Sequence, residues 1–123
     1  MSRLNVLIVD DEEELATTIA ERLHLRDILA ETAGDGETAL KMIEANPPDV
    51  IVLEVMLPGI GSAEVIQQLK VLNLHIPVIL LTSYGSNVND LIGIGGDVFD
   101  YIVKPCDLNS LVNKIIEAAE EYK

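Results

Sequence analysis

Apolar residues along this chain fall into two spacings. Short unbroken runs occur at Val6-Leu7-Ile8-Val9, Val50-Ile51-Val52-Leu53, Val78-Ile79-Leu80-Leu81 and Tyr101-Ile102-Val103. Runs this short, rich in Val and Ile and bounded by turn residues, predict strands of a parallel sheet buried on both faces. A fifth strand is predicted over Ile28 to Thr32, before the turn Gly34-Asp35-Gly36. Between the strands the spacing changes to three and four, the mark of amphipathic helices. The first helix carries Leu15, Ala16, Ile19, Ala20 and Leu23. The second carries Ala39, Leu40 and Ile43 and stops before Pro47-Pro48. The third carries Val65, Ile66 and Leu69, with Ser62 as its expected cap. A weaker fourth helical pattern covers about 87–94 and runs into Gly95-Gly96. The last helix carries Leu108, Leu111, Val112, Ile115 and Ile116.

Strand and helix alternate five times, which predicts a doubly wound (βα)5 sandwich. Right-handed crossovers then place helices on both faces of a parallel sheet. In such sheets ligands bind at the carboxyl ends of the strands. The runs end there in Asp10-Asp11, Glu54, Thr82 and Lys104, which gathers acids, a hydroxyl and a lysine at one sheet edge.

At 123 residues the chain has the length of one domain, expected to span 1–123 with no output domain. The net charge of −13 argues against direct nucleic-acid binding and against anionic membrane surfaces, and favours cationic partners. No apolar stretch approaches the roughly 18 residues a membrane span needs. A lone cysteine, Cys106, and the absence of a signal-peptide pattern point to the cytosol. His24 and His75 are too isolated for a metal site.

The residue types at the sheet edge suit phosphoryl chemistry. Adjacent carboxylates at Asp10 and Asp11 suit a hard divalent cation such as Mg2+. Glu54 is placed as a further ligand or as a nucleophile toward phosphorus. Lys104 would neutralise anionic charge, and Thr82 would hydrogen-bond a phosphoryl oxygen. Against this stands a plainer reading of Asp10 through Glu14 as acids favouring a helix N-terminus. Glu13 and Glu14 read as solvated, and Cys106 as packed.

Five segments in order carry a family resemblance: Val-Leu-Ile-Val-Asp-Asp-Glu at 6–12, Gly-Asp-Gly-Glu-Thr-Ala-Leu at 34–40, Pro-Asp-Val-Ile-Val-Leu-Glu-Val-Met-Leu-Pro-Gly at 48–59, Pro-Val-Ile-Leu-Leu-Thr-Ser at 77–83, and Asp-Tyr-Ile-Val-Lys-Pro at 100–105. End to end, the chain resembles a response-regulator receiver domain of bacterial two-component systems. The resemblance implies a flavodoxin-like sheet of order 2-1-3-4-5 and a signalling module, not a turnover enzyme. It implies Mg2+ held by Asp10, Asp11, the carboxylate at 54 and the backbone carbonyl of Met56. It makes Thr82 the switch hydroxyl, Tyr101 the aromatic that swings inward, and Lys104 the charged lysine before a cis proline. A sensor histidine kinase or phosphotransfer protein would be the partner. A homodimer or effector would use the face of the fourth helix, fifth strand and fifth helix.

The resemblance departs at its centre, where the family's phospho-accepting aspartate is Glu54. The longer side chain carries its carboxylate about 1.5 Å further out, one carbon–carbon bond. It occupies phosphoryl space and brings charge there, so the residue reads as a phosphomimetic or an inactivating replacement. Alternatives are a natural phosphate-independent pseudo-receiver acting as an interaction module, and a small phosphohydrolase of the haloacid-dehalogenase type. The latter needs Asp-x-Asp on the first strand, whereas here the acids are adjacent. A flavodoxin-like FMN carrier would need a Ser/Thr-rich phosphate loop where this chain has Asp11-Glu12-Glu13-Glu14.

Overall fold

The computed structural model describes residues 3–83 and 97–122. Five strands, β1 (Asn5–Val9), β2 (Leu29–Ala33), β3 (Val50–Glu54), β4 (Val78–Thr82) and β5 (Val98–Val103), form one sheet of order β2-β1-β3-β4-β5. Every pairing is parallel. The described helices are α1 (Glu13–Leu25), α2 (Gly36–Ala45), α3 (Ser62–Val71) and α4 (Leu108–Glu121). The expected helix over about 87–94, with Gly93, Gly95 and Gly96, lies outside the described residues.

The unbroken apolar runs follow from burial on both faces. Successive strand residues point to opposite sides, so each run feeds two cores. Val6, Ile8, Val50, Val52, Ile79 and Leu81 face one core, with Ile19 and Leu23 of α1 and Leu111 and Ile115 of α4. Leu7, Val9, Ile51, Leu53, Val78 and Leu80 face the other, with Ile43 of α2 and Val65, Ile66 and Leu69 of α3.

Three local expectations need correction. β2 begins one residue later than the apolar pattern suggests. The Ile28 N–H closes the end of α1 by donating to the Leu23 carbonyl, just after Asp27 with φ 61°. Ser62 is not the cap of α3: Gly61 holds that position, and Ser62 is a buried first helical residue. β5 is a half-buried edge, with Tyr101 and Val103 exposed, because no described strand lies beyond it.

The register sets the site. Val9 pairs with Leu53, Glu54 with Leu81, and Thr82 with Val103. The ladder continues one bond further, with Asp10 N–H donating to Ala33 O, Val55 N–H to Leu81 O and Lys104 N–H to Thr82 O. The polar residues ending these strands therefore lie in one row. Lys104 and Pro105 are joined by a cis peptide bond.

Candidate functional site

Asp10 and Glu54 are almost wholly buried at the ends of the two central strands. Burying carboxylates is costly unless a cation compensates. Lys104 supplies it from the end of β5. Its ammonium stands 2.9 Å from Asp10 Oδ2, 2.7 Å from Glu12 Oε1, and in contact with Glu54 Oε2. An ammonium has three N–H groups, and here three carboxylates surround it. Asp10 Oδ2 and Glu54 Oε2 have no well-angled hydrogen bond, so Lys104 answers them mainly by charge.

The remaining oxygens are held by backbone. Asp10 Oδ1 accepts from the Glu12 N–H at 2.9 Å, and Glu54 Oε1 from the Met56 N–H at 3.2 Å. Each side chain thus folds back on the turn that follows its own strand. Burial alone would lower the Lys104 pKa. The carboxylates of Glu12, Glu54 and Asp10 outweigh that and hold the ammonium above the ordinary lysine range.

The structure brings together Asp10, Glu54 and Lys104 from the sequence-based set. Thr82 is buried at the end of β4, and its hydroxyl donates to the Ser83 carbonyl at 3.1 Å. Tyr101 is about half exposed on the edge strand. Met56 adjoins the cluster through its N–H bond to Glu54. Asp11 is exposed and stands outside the carboxylate trio. Glu12 takes the third place, although sequence reasoning gave it no role beyond a helix-terminal acid. The signal was its position two residues beyond a strand-ending aspartate. An aspartate there accepts from the i+2 N–H and turns the chain back over the site. Cys106 is half-buried, and burial pushes its thiol pKa up, as a packed thiol requires.

One oxygen from each of Asp10, Glu12 and Glu54 lies within 4.8 Å of the others. All are hard carboxylate donors, and two are buried, so the donor set fits a hard divalent cation. Lys104 already stands among the same oxygens.

The model of the response regulator receiver domain family matches residues 6–116. This chain belongs to that family. The receiver is 36% identical over 118 residues to the alkaline phosphatase synthesis transcriptional regulatory protein PhoP of Bacillus subtilis, covering 94% of this chain and 49% of that protein. It is 35% identical over 111 residues to the sensory transduction protein RegX3 of Mycolicibacterium smegmatis, covering 90% of this chain and 48% of that protein. The chain spans about half the length of these curated relatives. Among solved structures it resembles the Francisella response regulator 1452 receiver domain, with TM-score 0.87, 29% identity, and coverage of 98% of this chain and 100% of that one. It also resembles a CheY-like receiver protein from Methanospirillum hungatei, with TM-score 0.88, 25% identity, and coverage of 98% and 96%. The chain is a receiver domain of two-component response regulators. Among the described residues no helix is long and apolar enough to cross a membrane.

Proposed function

We propose that this receiver signals through the charge state of residue 54, with Glu54 standing where a phosphorylated side chain would carry negative charge. One observation supports this above others. The Glu54 carboxylate is buried against Lys104, beside Asp10, at the end of the central strand. A side chain already paired there is poorly placed to accept a phosphoryl group.

On this reading the domain turns over no substrate, and its partner is a sensor histidine kinase or phosphotransfer protein of the cytosol. Asp10, Asp11, Glu54 and the Met56 carbonyl would hold Mg2+, with Glu12 as a further donor. When bound, the ion would supply positive charge against the crowded acids. Lys104 weakens that binding by holding the same oxygens. Thr82 and Tyr101 form the switch. Their present placement, hydroxyl on Ser83 and ring half exposed, supports at most a partial shift toward the activated arrangement. One carboxylate cannot reproduce the oxygens of a phosphoryl group.

The test is mass spectrometry after treatment with acetyl phosphate and Mg2+. The parent chain should gain no phosphate mass, and the Glu54→Asp variant should gain one. Stoichiometric labelling at Glu54 would overturn the reading. Failure of Glu54→Asp to label would favour the phosphate-independent pseudo-receiver.

A further inference from the structure

The loop that follows Glu54 is tied down at both ends. At its start, the buried Ser62 hydroxyl donates to the Val55 carbonyl at 2.6 Å. At its end, the Ile60 N–H donates to Glu37 Oε1 at 3.1 Å, across 23 residues of chain. Glu37 lies in the first turn of α2, whose start is fixed by Asp35 capping Thr38 N–H at 2.7 Å. Two glycines let the elements approach. A Cβ on Gly36 would stand 2.7 Å from Ile60 Cγ1 and 2.9 Å from the Ile60 carbonyl oxygen. Gly59 has φ +72°, and a Cβ there would stand 2.7 Å from Glu37 Oε1. Between the two anchors lies Met56, whose N–H holds Glu54 Oε1.

We infer that Glu37 is a positioning residue of the receiver site, acting through the Ile60 backbone to hold the 55–60 loop and, through the Met56 N–H, to aim the Glu54 carboxylate at Lys104. The bond is charge-assisted, which makes it stronger than an amide–amide contact. No side chain of α2 need touch the reacting position. The same loop includes Met56, whose carbonyl is a proposed metal ligand, so the consequence for phosphoryl chemistry rests on the function proposed above, while the consequence for loop geometry does not.

The experiment is amide proton exchange by NMR on Glu37→Ala, Glu37→Gln and Gly36→Ala. In Glu37→Ala, exchange at both Ile60 and Met56 should quicken about tenfold, the scale of one lost charge-assisted hydrogen bond. Exchange in Val78–Thr82 should not change. Glu37→Gln keeps an acceptor oxygen without the charge and should fall between the parent and Glu37→Ala at both amides. Gly36→Ala presses on the Ile60 carbonyl with Glu37 intact and should quicken Met56 as well. Faster exchange at Ile60 with Met56 unmoved would overturn the inference, because the contact would then be local. So would equal quickening in β4, no change at all, or a glutamine variant indistinguishable from alanine. In a Glu54→Asp background, Glu37→Ala should slow acetyl phosphate labelling severalfold and Glu37→Gln should restore part of the loss. If Glu54→Asp never labels, the signalling chemistry fails, while the exchange data still decide the role of Glu37.

Discussion

Lys104 carries more of the site than any single acid. It is 11% exposed and opposes two buried carboxylates, whereas Glu12 is 62% exposed. Breaking a buried pair from one side leaves uncompensated charge and commonly costs 3–5 kcal/mol. Lys104→Met should therefore destabilise the fold by about 3 kcal/mol in urea unfolding, at the low end because solvent reaches the cluster beside Glu12. Glu12→Gln should cost less than about 1 kcal/mol, as for an exposed pair. Equal losses would mean that burial does not rank the two contacts. The pH dependence follows from the raised lysine pKa. A raised folded value means that the stabilisation is full below the lysine's ordinary 10.5 and fades as pH rises through the higher folded value. The stability gap between the parent and Lys104→Met should hold across neutral pH and shrink only in strong alkali. A gap that closes near neutrality would contradict the assignment.

At the scale of elements, one hydroxyl holds the start of the loop before α3. Ser62 is buried and satisfies the Val55 carbonyl. Ser62→Ala should cost about 1–2 kcal/mol, the usual penalty for a buried acceptor left unpaired, and should loosen Met56 as Glu37→Ala does. This contact also marks where sequence reading stops. The apolar runs located the three central strands β1, β3 and β4, because a strand buried on both faces needs nearly every residue apolar, whereas the edge strands β2 and β5 mix exposed and polar positions and were placed with help from their order in the alternation. The helical stripes of α1, α3 and α4 appeared as spaced, since each covers one side of the sheet. The strand-ending residues were legible as a set because parallel register aligns strand ends. Ends and caps were not. A serine near a helix start reads as an N-cap from composition alone, whereas its partner, Val55 O, lies seven residues back and is fixed only by the fold. Glu12 and Glu37 were missed for the same reason. Each looks like an acid in a first helical turn, and its contact with Lys104 or Ile60 spans chain that sequence spacing does not connect.

For the whole molecule, 21 acidic residues against 8 basic leave a net charge of −13. Self-repulsion of this size opposes the compact state, and salt screens it. Thermal stability should therefore rise with NaCl in the parent and in Lys104→Met alike. Magnesium at the proposed site would add a second, local effect. An ion that binds only the folded state stabilises it by RT ln(1 + [L]/Kd). In the parent the Lys104 ammonium holds Asp10, Glu12 and Glu54, so a divalent cation must displace it to reach those oxygens. In Lys104→Met the same three carboxylates, with one oxygen from each already within 4.8 Å of the others, lose the lysine that opposes them. At matched ionic strength, MgCl2 should exceed NaCl only slightly in the parent and clearly in Lys104→Met. Calorimetry should show Mg2+ affinity at least about tenfold higher in the variant, or roughly 1.4 kcal/mol. Equal affinities would show that lysine and metal occupy the site without competing. No binding in either protein would show that the three carboxylates, although gathered, do not hold a divalent ion.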